Sequence, residues 1–234
     1  MLNFTISKMT SIKSKYLDRL LEDFRLLSET VLLQISDARK LLSAQNNDST
    51  GELYEEVEKN EIIIDGLDIK VREEVINAIF LFTPRAADLR KVIAYHDMTI
   101  YLERVGDLIL NVVHSGKRMD LKLPGFEEFE ELLSTMLKHS DTMVKNAVIA
   151  FSCEDNSMAY ATISTDDKVD DLFKQISIKL AESFKERPLS EQELTNIMSI
   201  NSISYNIERI ADNATNIAES AIYLTEGKDI RHQY

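Results

Sequence analysis

The stretch YLERVGDLILN (Tyr101–Asn111) has the three- and four-residue apolar spacing of a buried helix, yet it carries Glu103, Arg104 and Asp107 among Leu, Val and Ile. Glu103 and Asp107 share one helix face, where like charges destabilise the helix unless something compensates. The same device returns in NIERIADNATN (Asn206–Asn216), where Glu208, Arg209, Asp212 and Asn216 stand 105 positions after Glu103, Arg104, Asp107 and Asn111. Without a gap, that shift also carries Glu61 to Asp166, Asp65 to Asp170, Leu67 to Leu172 and Leu89 to Leu194. A constant register over roughly fifty residues marks an internal repeat.

Helical apolar spacing extends over most of the chain, for example at Ile64, Leu67, Val71, Val75 and Ile79, and strand alternation is nowhere sustained. Six Gly, three Pro and no Trp leave few interruptions, which favours long helices. Breaks near Asn46–Gly51, Thr83–Pro84, Ser115–Gly125, Cys153–Asn156, Arg187–Pro188 and Gly227 predict six helices, at about 10–45, 51–82, 85–117, 125–152, 156–186 and 190–226. The fold class is all-α, with a first three-helix repeat in 1–120 and a second in 121–234.

The net charge of −13 repels phosphate backbones and anionic lipid surfaces, so nucleic acid is not an expected partner. One cysteine, Cys153, excludes an internal disulfide and a thiolate cage, and reads as a small buried residue rather than a nucleophile. The N-terminal stretch lacks the pattern of a signal peptide, and the densest apolar run, AIFLF (Ala78–Phe82), is far short of a bilayer span. The expected location is the cytoplasm, without membrane insertion.

One acidic pair at i, i+4 means little, because random placement of 40 acids in 234 positions already gives about seven such pairs, most of them solvated. The repeat singles out Glu61 with Asp65, Glu103 with Asp107, Asp166 with Asp170, and Glu208 with Asp212. Helices joined by a short loop run antiparallel, and both pairs of each half lie about 21 residues, or roughly 30 Å, from the loop between them. Four carboxylates at one level raise each other's pKa unless a cation neutralises them. Oxygen-only donors point to a hard or borderline ion such as Mg, Mn, Ca or Fe. Asn111 and Asn216, one turn further on, are candidate additional oxygen donors or hydrogen-bonding neighbours, and equally read as ordinary polar residues. Arg104 and Arg209 read as partners for the acids or the adjacent helix.

Other chemistries lack their signatures. No histidine follows a Glu at three residues, as di-iron four-helix oxidases require, and His96, His114, His139 and His232 are scattered. There is no nucleophile elbow and no Gly-rich phosphate loop, so an enzyme is not expected.

PRAADLRKVIAYHDMTIYLERVGDLILN, TDDKVDDLF, SISYNIERIADNATNIAE and the tail YLTEGKDIRH together resemble the PhoU family of phosphate-specific transport accessory proteins, over nearly the whole chain. The resemblance implies two pseudo-symmetric three-helix bundles. It also implies metal clusters (Fe, Mn, Mg or Zn) on Glu61, Asp65, Glu103 and Asp107, and on Asp166, Asp170, Glu208 and Asp212. The implied role is a non-enzymatic negative regulator of phosphate uptake and phosphate-starvation signalling. Its implied partners are the ATPase subunit of an ABC-type phosphate transporter, a sensor histidine kinase and a second copy of the chain. An accessory protein of another phosphate permease and a metal-homeostasis protein are the alternatives. Two departures from the family pattern stand out: Ala211 replaces the Gly found at 106 in the first half, and Thr195 stands at the position of Arg90.

Overall fold

The computed structural model describes residues 2–43, 50–185 and 188–227, the side chains of 2–15, 17 and 87 excepted. They form six helices, α1 (Leu2–Ser43), α2 (Thr50–Phe82), α3 (Ala87–Gly116), α4 (Glu127–Cys153), α5 (Asn156–Phe184) and α6 (Glu191–Glu226), with no strand among the described residues. Five agree with the predicted bounds to within two residues at each end that is described. α1 begins at Leu2 rather than near residue 10, because no Gly or Pro precedes Gly51 to stop it. The break at 44–49, Arg187 and the tail from Lys228, His232 included, lie outside the described residues.

Local chemistry sets the ends. The Asp155 side chain caps α5 by accepting from the Ser157 and Met158 amides. Ser190 and Glu193 form a reciprocal capping box on α6. α4 closes on Glu154 and α6 on Gly227, both left-handed. Cys153, the last residue of α4, is exposed rather than buried, because the chain leaves the core at that left-handed turn.

The α2–α3 turn is tighter. Thr83 and Ala86 both have positive φ, and Ala86, at φ 48 and ψ −113, lies outside the regions open to an L residue. Ala86→Gly is expected to raise stability by about 1 kcal/mol, read as a higher melting temperature.

Within the first half α1, α2 and α3 contact one another, and α4, α5 and α6 do so in the second. The halves meet through α3 against α6 and α1 against α4. α3 and α6 run antiparallel: Ser115 bonds Ser202 at 3.1 Å, and Asn196 donates to the Asp120 carbonyl and accepts from the Asp120 amide. At the opposite end a Cβ on Gly227 would lie 2.9 Å from Arg90 Nη1. One continuous apolar core runs through both halves, including Leu102, Leu108 and Ile109 of α3 and Ile203, Ile207 and Ile210 of α6. Arg39 on α1 adds an ion pair at 2.6 Å to the buried Asp141 on α4. Among the described residues no helix is long and apolar enough to cross a membrane.

Candidate metal centre

The antiparallel pairing of α2 with α3 sets Glu61 near Asp107, and Asp65 near Glu103. Glu61 is 7% exposed. Burial, reinforced by the charges of Asp107 and Asp65 and only partly relieved by a hydrogen bond from Gln34, pushes its carboxyl up to about 7. Burial also raises Glu103, with Asp107, Asp68 and Asp65 adding repulsion. Arg104 gives Asp107 a weak ion pair at 3.4 Å, half in solvent.

The second half repeats the arrangement on α5 and α6. Burial, then Asp212 and Asp170, push Asp166 up to about 6. Burial, then Asp212, Asp170 and Asp166, push Glu208 up to about 7, and Asp212 is raised by burial and by Asp170. Arg209 moderates both Glu208 and Asp212, and its guanidinium also lies 5.6 Å from the centre of the Tyr205 ring. The Thr215 hydroxyl eases the shift of Asp166 but lies outside hydrogen-bond geometry.

All eight acids therefore fall at the levels the repeat predicts, four in each half, close enough to repel. They are not assembled around a point: among the described residues no three carboxylate, imidazole or thiol groups form a ligand set for an ion. The donors nevertheless suit one. Glu61 Oε1 and Gln34 Oε1 are buried acceptors without hydrogen-bond partners, as oxygen donors to a hard cation would be before it binds. Gly106 keeps this region open, since a Cβ there would lie 3.1 Å from Glu61 Oε2 and 3.3 Å from Gln34 Oε1.

The two asparagines sit elsewhere. Asn111 is exposed and lines a groove between α3 and α6. Asn216 is half-buried, and its carbonyl accepts from Ser220.

Sequence reasoning missed two residues at the first cluster. Gln34, fully buried on α1, donates to Glu61 Oε2 at 2.6 Å. Its signal was a lone polar side chain in the core stripe Leu27, Val31, Ala38 and Leu41. Asp68 is 5% exposed, pairs with Arg72 at 2.8 Å, and is raised by burial despite that partner. The repeat concealed it, because the corresponding second-half residue is Phe173.

Comparison with known proteins gives the same duplication. The PhoU domain model matches residues 24–115 and again 133–221. The phosphate-specific transport system accessory protein PhoU homolog of Aquifex aeolicus is 32% identical, over 94% of this chain and 96% of its own. PhoU homolog 1 of Thermotoga maritima is 27% identical, over 99% of this chain and 88% of its own. The crystal structure of PhoU from Pseudomonas aeruginosa superposes with a TM-score of 0.80 at 25% identity, covering 92% of this chain and 99% of that one. The phosphate transport system regulatory protein PhoU from Streptococcus pneumoniae shares the fold, with a TM-score of 0.80 at 24% identity over 93% of this chain and 98% of its own.

Proposed function

The chain belongs to the PhoU family, and from that membership we propose that it is a non-enzymatic accessory protein of a phosphate transport system that restrains uptake and starvation signalling when phosphate is plentiful. The observation that carries the reading is the family match in both repeats, each of which brings its four acids to one level. The proposed partners are the ATPase subunit of an ABC-type phosphate transporter and a sensor histidine kinase, met at the cytoplasmic face of the membrane, with a second copy of the chain completing a homodimer.

Iron, manganese, magnesium or zinc would be held by Glu61, Asp65, Glu103 and Asp107, and by Asp166, Asp170, Glu208 and Asp212. The ion would supply positive charge. The protein's residues do the rest: Gln34 orients Glu61, Gly106 leaves space beside it, and Arg104 and Arg209 limit the charge left at the rim. An acid whose charge is neutralised holds its helix against its neighbour, so metal would stiffen the surface that partners meet.

Deletion of the gene in phosphate-replete medium tests the regulatory reading. Transcripts of phosphate-starvation genes are expected to rise severalfold, and unchanged transcripts would refute it.

A further inference from the structure

Antiparallel packing of α3 on α6 creates two grooves related by the internal repeat. One, a cavity of about 580 Å³, lies at the C-terminal turns of α3 and is lined by Asn111, His114, Ser115, Lys117 and Arg118, with Ser202 and Asn206 from α6. The other, of about 320 Å³, lies toward the C-terminal end of α6. A shift of 105 positions carries Asn111, His114, Ser115 and Arg118 to Asn216, Glu219, Ser220 and Tyr223, and brings Ser202 back to Asp97. Asp97, Glu219, Ser220 and Tyr223 all line the second groove. The frame is thus duplicated and the charge is not: His114 answers to Glu219, and Ser202 to Asp97.

We infer that the α3–α6 groove around Arg118 is a binding site for a small oxyanion of the phosphate class. In a chain of net charge −13 an anion needs a local reversal of potential, and this groove supplies Lys117 and Arg118, beside the His114 imidazole, with no carboxylate in its lining. Four other cavities each include a carboxylate, from Glu55 and Glu58, Asp88, Asp97 and Glu219, or Glu128 and Glu131.

The donors are available. Among the described residues no acid pairs with the Arg118 guanidinium, which is free to bind two oxygens at once. Lys117 Nζ rests 5.1 Å from the centre of the Tyr54 ring, a contact that leaves its charge intact. His114 Nε2 lies 3.5 Å from Glu58 Oε1, a carboxylate outside the lining, and its imidazole adds a ring N–H to the groove. Ser115 and Ser202 share one hydrogen bond at 3.1 Å, which uses one of their two hydroxyl hydrogens and leaves the other to turn toward a ligand. Asn206 is committed to the Ser202 carbonyl, so it shapes the wall rather than donating.

This site goes beyond the regulatory reading and does not rest on it. Isothermal titration of the full chain with inorganic phosphate, in EDTA to remove phosphate bridged through a metal, tests it. A second titration with glycerol 3-phosphate distinguishes free phosphate from a phosphomonoester. Saturable binding of either one is expected, weakened at least about tenfold in Arg118→Ala, the loss of about 1.4 kcal/mol of a charge-assisted contact. It should be abolished in His114→Glu, which copies the residue of the second groove. Both variants should retain the wild-type circular dichroism and melting temperature. Absence of heat with both ligands, or variants that bind like wild type, would overturn the assignment.

Discussion

In EDTA the melting temperature is expected to fall as pH rises from about 5 to 8, and a saturating divalent cation should restore it at pH 8 while doing little at pH 5. Burial and neighbouring charge raise the folded-state values of Glu61 and Glu208 to about 7, and of Asp166 to about 6. A carboxyl raised in this way holds its proton more tightly when folded than when unfolded. Its contribution is complete below the unfolded value, near pH 4, and is lost as pH climbs through the folded value. For Glu61, which is 7% exposed, ionising in place costs of the order of 2 kcal/mol. Glu208 and Asp166 each add less, because water screens them more.

Together these terms correspond to a change of about 5–10 °C in a chain of this size. A cation competes with the protons for the same oxygens, so its benefit grows as they leave. Glu61→Gln should flatten the profile in EDTA. Replacing both Glu103 and Asp107 with Ala should lower bound metal in elemental analysis. Melting temperatures that climb steadily from pH 5 to 8 in EDTA, with no response to any of the four candidate cations, would remove the basis for a metal centre.

Gly106→Ala should destabilise the protein by about 1–2 kcal/mol, against the gain of about 1 kcal/mol that Ala brings to an exposed helix. The added Cβ would meet Glu61 Oε2 at 3.1 Å, Ile64 Cδ1 at 3.2 Å and Gln34 Oε1 at 3.3 Å. All three neighbours are buried, and Glu61 and Gln34 are bonded to each other, so none retreats without breaking a contact or a hydrogen bond. Metal bound by the first half should fall with stability. In the second half Ala211 is already present and 1% exposed, so Ala211→Gly should cost only its propensity and a small void, about 1–2 kcal/mol. Denaturant titration with elemental analysis checks both. A Gly106→Ala protein that is more stable, with full metal content, would show that the first cluster has room to spare.

The acid pairs were legible because two independent regularities coincided. The i, i+4 spacing put each pair on one face, and the constant shift repeated it in both halves. Distance from the helix turn then set their level, since antiparallel helices with a short loop have little freedom to slide. Which acids are buried was not legible. Glu61 and Asp65 are identical in pattern, but one is buried and the other exposed, because only Glu61 is turned toward Gln34 of α1. Cys153 was misread for the same reason: small apolar character favours burial, but the left-handed turn at Glu154 carries the end of α4 into solvent.

By itself the sequence determined the six helices, their division into two repeats and the level at which four acids meet in each, all properties of spacing along single helices and across short loops. Only the tertiary structure decided which carboxyls lose their water, that Gln34 and Asp68 join the first cluster, and that the two α3–α6 grooves carry opposite charge. Those outcomes depend on contacts between residues far apart in the chain. Desolvation and Coulomb energy follow distance through space, which helical periodicity alone does not encode.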